Sequence, residues 1–421
     1  QRSTLFPYTT LFRSLVRFLA YLPEPPVSWG AILLALGAVS AVVGVLYAIG
    51  QHDLKKLLAY HSVENIGIIV MGLGLALVGK TLHHPAWIIL GMAGCLLHVW
   101  NHGLFKALLF LSAGSVIHAT GTRQIDQMGG LSRSMPVTAL FFFTGAAAIC
   151  GLPPLNGFVS EWLVYLGLFT TSDGLTAWSP VALAAPALAL TGGLALACFV
   201  KVYGAVFLGS PRRALTQTPH EAPRAMRLAM IPLAGLCVWI GLAPWSVRRI
   251  LEQAASEWTP PGQLAVLAPL DSLTWLALIL WGALLAAAWG LRRRLARGIV
   301  GSAETWGCGY LQPTPRIQYT ASSFAQLLTS FFRGILHTCA NHPVSRDSFA
   351  RPAHFKTHVE DFMLDRRILP YSRRAARWFM SFRQLQRGLT HHYVLYIVLA
   401  MFALLLWSLP IGALVGKFFL R

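Results

Sequence analysis

Long, nearly uninterrupted apolar runs alternate with short polar stretches along most of the chain. Several runs reach the roughly 20 residues that a helix needs to cross a bilayer. Lipid leaves helices and closed barrels as spanning structures, and continuous runs are typical of helices rather than barrel strands. The pattern predicts an all-α, polytopic transmembrane helix bundle. The predicted segments are Trp29–Ile49, Leu57–Gly79, Pro85–Ile117, Pro136–Leu168, Ala182–Leu208, Leu228–Val247, Leu273–Leu291 and Tyr393–Leu409.

The fourth segment is interrupted at 151–157, where Pro153 and Pro154 remove backbone donors and break a helix. It is either two short crossings or one discontinuous crossing. Charge in the loops favours one crossing, because the basic loops and the long basic region then share one side, as the positive-inside rule requires. We therefore predict about eight crossings, one of them discontinuous. Broken helices of this kind mark ion sites in transporters.

Four regions are predicted along the chain. Residues 1–14 resemble adaptor or vector read-through rather than native sequence and are set aside. Residues 15–291 form the main transmembrane domain. Residues 292–391 form a basic cytoplasmic arm with 16 Lys or Arg against five acids, which either lies on anionic lipid or docks a partner. Residues 392–421 contain the C-terminal transmembrane helix.

Composition supports a membrane protein and excludes other classes. Of 421 residues, 55% are hydrophobic and 12% are charged, against about 25% charged in soluble domains. The net charge of +19 has no recognition motif beside it, so nucleic acid is not an expected partner. The six cysteines form no CxxC pair, and the spacing of His354, His358 and Asp361 is too weak to indicate zinc. We expect no metal, cofactor, redox centre or catalytic residue in this chain.

One apolar segment carries three titratable groups. His98, His102 and Lys106 follow each other at i, i+4 and i+8, which places them on one helix face. A buried lysine beside a carboxylate can change its protonation state with small movements, and histidine can pass protons on. The alternative is structural hydrogen bonding between helices. We interpret the three residues as a proton-carrying group.

Other ionisable residues in or near the apolar segments are further candidates. Glu161 follows the helix break and could pair with a lysine or snorkel to the interface. His61 and Glu64 are neighbours on a helix and form either part of a proton path or a surface pair. Secondary candidates are Lys201, Asp53 and Lys55, for which snorkelling or interfacial anchoring is the favoured interpretation.

Several motifs carry a family resemblance. The stretches 51–62, 98–110, 128–131 and 152–161 resemble the interfacial motif, the central His/Lys helix, the following loop and the broken helix of Mrp-antiporter-like subunits of respiratory complex I. Within that superfamily, Tyr60–Gly67, Trp306–Tyr310 and Gln318–Phe324 look most like the large membrane subunit of hydrogenase-4 and formate hydrogenlyase. The resemblance runs from about residue 15 to the end, with the N-terminal half of the family fold missing, as in a C-terminal fragment.

The resemblance implies proton translocation driven by redox chemistry in partner subunits. Lys106 would be the central proton-carrying lysine, fed by His98 and His102, and Glu161 the distal acidic residue. Expected partners are other membrane subunits and a peripheral hydrogenase arm, in the cell inner membrane. Alternatives are a cation/proton antiporter subunit of Mrp type, a complex I membrane subunit, or a membrane anchor that moves no ions.

Overall fold

The structure, a computed structural model, describes residues 7–22, 25–170, 180–211, 218–259, 270–298, 318–341, 356–382, 388 and 390–408. Its helices are α1 Pro7–Tyr21, α2 Val27–Ile49, α3 Leu54–Thr81, α4 Pro85–Thr120, α5 Leu131–Ser134, α6 Pro136–Ile149, α7 Asn156–Thr170, α8 Pro180–Phe207, α9 Arg224–Leu242, α10 Trp245–Ser256, α11 Leu270–Arg297, α12 Ala321–Phe331, α13 Leu369–Phe382 and α14 Thr390–Ser408. A 3-10 turn covers Ile125–Gln127 and a π-helical segment covers Phe362–Ile368.

The predicted polytopic helical bundle is confirmed. In the described part of the chain, seven helices are long and apolar enough to cross a membrane: α2, α3, α4, α8, α9, α11 and α14. The two shorter helices α6 and α7 flank the predicted break. With that pair counted as one crossing, the helices agree with the predicted eight segments. A two-stranded sheet of β1 His337–Asn341 and β2 Lys356–Glu360 is an addition that the apolar pattern did not indicate.

Small residues bring α2 and α3 into close contact. Gly30 and Gly37 on α2 face Gly74 and Gly67 on α3, and a Cβ added at Gly67 would lie 2.5 Å from the carbonyl oxygen of Gly37. In lipid the hydrophobic effect does not drive helices together, so close backbone approach through small residues supplies much of the attraction. This packing places the polar residues of α3 inside the bundle, against α4 and α8.

Two carboxylates cap helices at the end of the bundle where α3 begins and α4 ends, which we call the α12 end because α12 packs there. Asp53 accepts hydrogen bonds from the backbone amides of Lys55 and Lys56, at 2.9 and 3.0 Å. Glu221 accepts from Val137 N at 2.8 Å and from Thr138 Oγ1 at 2.5 Å, at the start of α6. Burial opposes ionisation of Glu221, but the hydrogen bonds from Thr138, Ala222 and Val137 outweigh it and lower the pKa of this carboxyl. Asp53 therefore has a structural role, and Lys55 is exposed.

The chain divides into two compact units. The first comprises residues 1–359, and the second comprises residues 360–421 with α13 and α14. Part of the predicted arm belongs to the first unit, since α12 contacts α8 and α2, and Val359 of β2 packs on Gly50. Helix α1 continues across residue 14, and α11 continues across residue 292. The four predicted regions stay predictions.

Candidate functional site

The break between α6 and α7 positions Glu161. Gly151 adopts a left-handed φ of 61°, which glycine tolerates without strain, and the chain turns there before α7 begins at Asn156. Glu161, one and a half turns into α7, folds back over this turn, so that a Cβ at Gly151 would lie 2.6 Å from its Oε2. The side chain is 8% exposed. Glu161 therefore does not snorkel and faces the bundle interior.

His61 and Glu64 form a buried pair on α3. His61 Nδ1 contacts Glu64 Oε2, and the side chains are 0% and 1% exposed. The His61 ring lies against Phe199 of α8, with 4.6 Å between ring centroids. The surface-pair alternative is therefore wrong, because neither side chain reaches solvent at this position.

Lys106 on α4 reaches across to α3. Its Nζ donates to the carbonyl oxygen of Leu58 and lies 5.3 Å from the centroid of the Phe110 ring. The residue is 6% exposed. An ammonium at this position needs an acidic partner inside the bundle, because its charge is costly in lipid.

Glu64 is an acidic residue near enough to Lys106 to act on it electrostatically. Lys106 interacts electrostatically with Glu64, and Glu161 also interacts with Glu64. Glu64 thus interacts with both residues, and a coupling of Lys106 to Glu161, directly or through water, stays a prediction. The spacing of Glu64 in the sequence indicates only its helix neighbour His61, whereas Lys106 and Glu161 lie on other helices.

His98 connects three helices. Its Nδ1 is 2.9 Å from Ser160 Oγ on α7, and its Nε2 is 3.1 Å from Asn65 Oδ1 on α3. Both ring nitrogens thus have partners, as in the structural alternative, and a proton-carrying role for His98 stays a prediction. Nε2 of His102 is buried and has no hydrogen-bond partner within the described residues, and the ring packs edge-on against Phe105.

A polar bridge beside His98 was not anticipated. Asn101 Nδ2 donates to the backbone oxygen of Asn156 at 2.7 Å and to Ser160 Oγ at 3.1 Å, and Asn65 Nδ2 donates to the backbone oxygen of His61 at 2.8 Å. The signal in the sequence is the presence of Asn65, Asn101 and Ser160 within apolar segments, where amide and hydroxyl groups need hydrogen-bond partners. The bridge ties α3, α4 and the break into one hydrogen-bonded unit.

Lys201 points into the bundle. It is 3% exposed, and its Nζ donates to the carbonyl oxygens of Ile49 at 2.6 Å and Gln51 at 3.3 Å. These carbonyls lie at the C-terminal end of α2, where a cation is favoured by the helix dipole. The predicted snorkelling of Lys201 is therefore wrong. With it, the buried charge cluster consists of His61, Glu64, Lys106, Glu161 and Lys201.

The spacing of His354, His358 and Asp361 did not indicate a zinc site, and the structure describes this stretch only in part. His354 is among the residues that the structure does not describe. Elsewhere, across the described ranges, no group of three or more His, Cys, Asp or Glu side chains is arranged to hold a metal ion.

The sequence is similar to those of known membrane proteins. Residues 10–184 match the family described as NADH:quinone oxidoreductase/Mrp antiporter, transmembrane. Hydrogenase-4 component B of Escherichia coli K12 is 36% identical over 413 residues, covering 90% of this chain and 59% of the relative. Formate hydrogenlyase subunit 3 of the same organism is 40% identical over 314 residues, covering 74% of this chain and 51% of the relative.

A solved structure supports the fold. A chain of the membrane-bound sulfane sulfur reductase, an archaeal respiratory membrane complex, aligns with a TM-score of 0.58 and 22% identity. The alignment covers 90% of this chain and 56% of that one. The chain thus spans between half and two thirds of the length of these proteins, and the similarity to this structure shows the fold alone.

Proposed function

From the match of residues 10–184, which places the chain in the NADH:quinone oxidoreductase/Mrp antiporter transmembrane family, we propose the following function. The chain is a proton-translocating subunit of a redox-driven membrane complex. The observation that carries the proposal is the buried charge cluster. Ionisable groups inside a membrane bundle are costly and are retained where they pair or carry ions. A membrane anchor that moves no ions would not need five of them.

The chemistry of the cluster supports proton movement. Glu64 contacts His61 and interacts with Lys106 and Glu161. The protonation state of this one carboxylate therefore depends on an imidazole, an amine and a second carboxyl group. When such groups are strongly coupled, protonation belongs to the set rather than to one residue. We propose that a proton moves along the cluster as Glu64 changes partners between Lys106 and Glu161. His102, near Lys106, is a further carrier in this scheme.

The relatives support a hydrogenase-4 or formate hydrogenlyase type of complex. Partners in this proposal are other membrane subunits and a peripheral hydrogenase arm, within the cell inner membrane, and no nucleic acid. Redox chemistry takes place in those partners. Anionic lipid is a further proposed partner for the basic arm, because several Lys and Arg near a membrane surface attract anionic headgroups.

The ion can be identified directly. We expect the complete complex, reconstituted in sodium-free proteoliposomes, to form a pH gradient during redox turnover that a protonophore collapses. Lys, Glu and His side chains carry protons readily, whereas sodium needs a shell of several oxygen ligands. Fluorescent pH indicators inside the vesicles provide the measurement. A gradient that forms only when sodium is added would favour the Mrp-type antiporter alternative instead.

The side of the membrane can also be tested. The residues 292–391 carry the largest basic excess, so the positive-inside rule predicts that they are cytoplasmic. Single cysteines introduced at Arg333 and Arg374 of an otherwise cysteine-free variant should resist an impermeant maleimide added to intact cells and react after lysis. A cysteine at Glu257, between α10 and α11 on the predicted outer side of the membrane, is the control that should react from outside. The reverse pattern would invert the topology.

A further inference from the structure

A cluster of polar side chains at the α12 end has no part in the proposed function so far. Ser322 N donates to Asp126 Oδ1 at 3.3 Å, and the Ser322 hydroxyl donates to Asp126 Oδ2. His52 Nδ1 lies 3.6 Å from Asp126 Oδ2 and 3.3 Å from Ser322 Oγ. The three residues come from widely separated parts of the chain, so folding alone brings them together.

This cluster reaches solvent and also touches the interior. The side chains of His52 and Asp126 are 19% and 30% exposed. The backbone around them is ordered by hydrogen bonds from Ile125 N to His52 O at 2.9 Å and from Leu54 N to Arg123 O at 3.0 Å. Asp53, which follows His52 in the chain, already accepts hydrogen bonds from backbone amides as the N-cap of α3. Asp126 and His52 are therefore held at the surface while keeping access to water.

Lys201 connects this surface to the buried charge cluster. Its Nζ donates to the carbonyl oxygen of Gln51, the residue before His52, and it interacts electrostatically with Asp126. On α8, Lys201 lies two residues from Phe199, whose ring packs against His61. Lys201 is six residues from the end of α8 and His61 is seven from the start of α3, about 9 and 10 Å along the helices. Both thus lie at a similar depth.

We propose that Asp126 and His52 are the proton uptake site at the α12 end and that Lys201 passes the proton inward to His61 and Glu64. The inference rests on the proposed function and adds an entrance to it. Lys201 as an ammonium releases one proton toward His61, directly or through water, and becomes a neutral amine. The amine then takes a proton from the Asp126–His52 pair, which is reloaded from bulk water. Each transfer moves one proton and leaves no net change in the groups.

A different role for the cluster would be to fasten α12 to the bundle. Gln318, just before α12, also attaches this segment to the bundle. Its Nε2 donates to the backbone oxygen of Ser210 at 2.8 Å, and its Oε1 accepts from the backbone nitrogen of Ser210 at 3.3 Å. Its side chain carries no charge. Gln318→Ala therefore loosens the attachment of α12 without removing the carboxylate.

The test is the initial rate of proton uptake by the complete complex in proteoliposomes. Asp126→Asn keeps the shape, its amide oxygen can accept from Ser322 N and its amide nitrogen can donate to the Ser322 hydroxyl, but it cannot carry a proton. We therefore expect the uptake rate to fall roughly tenfold or more. Asp126→Glu should restore most of the rate. Gln318→Ala, and Glu221→Gln as a loss of equal charge at the same end, should stay within about twofold of the wild-type rate.

The outcomes separate this inference from the proposed function. Normal uptake in Asp126→Asn, together with no uptake in Lys106→Met, would overturn the entrance and leave the proposed function standing. If Gln318→Ala lowers the rate of proton uptake as much as Asp126→Asn does, the entrance is also overturned, because a loosened attachment of α12 would then explain the effect. Normal uptake in Lys106→Met would instead count against the proposed function itself. Native gels establish that each variant complex is assembled.

Discussion

Replacing Lys106 with methionine should abolish proton uptake during turnover while leaving the complex assembled. Lys106 is buried, and its Nζ contacts the Leu58 carbonyl oxygen near Glu64. A buried charged group often costs more stability than it returns, so an apolar side chain of similar length should leave thermal stability about unchanged or slightly raised. A proton carrier, in contrast, needs a group that exists in both charge states. Proteoliposome uptake and native gels measure the two properties separately.

Arginine at the same position distinguishes a carrier from a fixed charge. Lys106→Arg keeps the positive charge beside Glu64, but a guanidinium does not release its proton at working pH. We therefore expect Lys106→Arg to be as inactive as Lys106→Met. Normal pumping by the arginine variant would show that Lys106 acts as a fixed charge, and the proposed mechanism would be wrong.

Replacing Glu64 with glutamine should have the second-largest effect, lowering the uptake rate by roughly tenfold or more. Glu64 is 1% exposed and is the carboxylate that contacts His61 and interacts with Lys106. Breaking a buried charge pair from one side costs about 3–5 kcal/mol when the other charge remains. The charged form of Lys106 is thus disfavoured in Glu64→Gln, and proton loading slows. Uptake rates and thermal unfolding of the assembled complex are the measurements.

A double-mutant cycle identifies the partner of Lys106. Effects of residues in contact are not additive, whereas those of independent residues are. The stability changes of Glu64→Gln and Lys106→Met should therefore depend strongly on each other. Glu161→Gln is the matched control, since it removes another buried carboxylate that interacts with Glu64. Stronger coupling of Lys106 to Glu161 than to Glu64 would contradict the arrangement described here and return to the pairing expected from sequence.

Features of the fold that depend on local sequence could be predicted. The spanning helices follow from apolar runs, because a backbone in lipid must satisfy its own hydrogen bonds. The break follows from Pro153 and Pro154, which cannot donate to a helix. The placement of His98, His102 and Lys106 on one long helix follows from their spacing. None of these inferences requires knowing which helices are neighbours.

The pairing of side chains between helices was decided by tertiary structure. Periodicity shows which face of a helix a residue occupies, but not which helix that face meets or at what rotation. For this reason the electrostatic interaction of Lys106 with Glu64 did not follow from the position of either residue on its own helix. Lys201 turned inward because the end of α2 offers it carbonyl oxygens, a feature that its own sequence neighbours do not contain.

The meeting of Asp126 with Ser322 depends even more on the tertiary structure, since 196 positions separate the two residues. Each is an ordinary polar residue of a loop or helix start when considered by itself. The sequence alone determined the number and approximate place of the membrane-spanning helices, because these depend on hydrophobicity and backbone hydrogen bonding within each segment. The charge cluster and its connection to the surface were decided only when close packing set the distances between segments, on which electrostatic interactions depend.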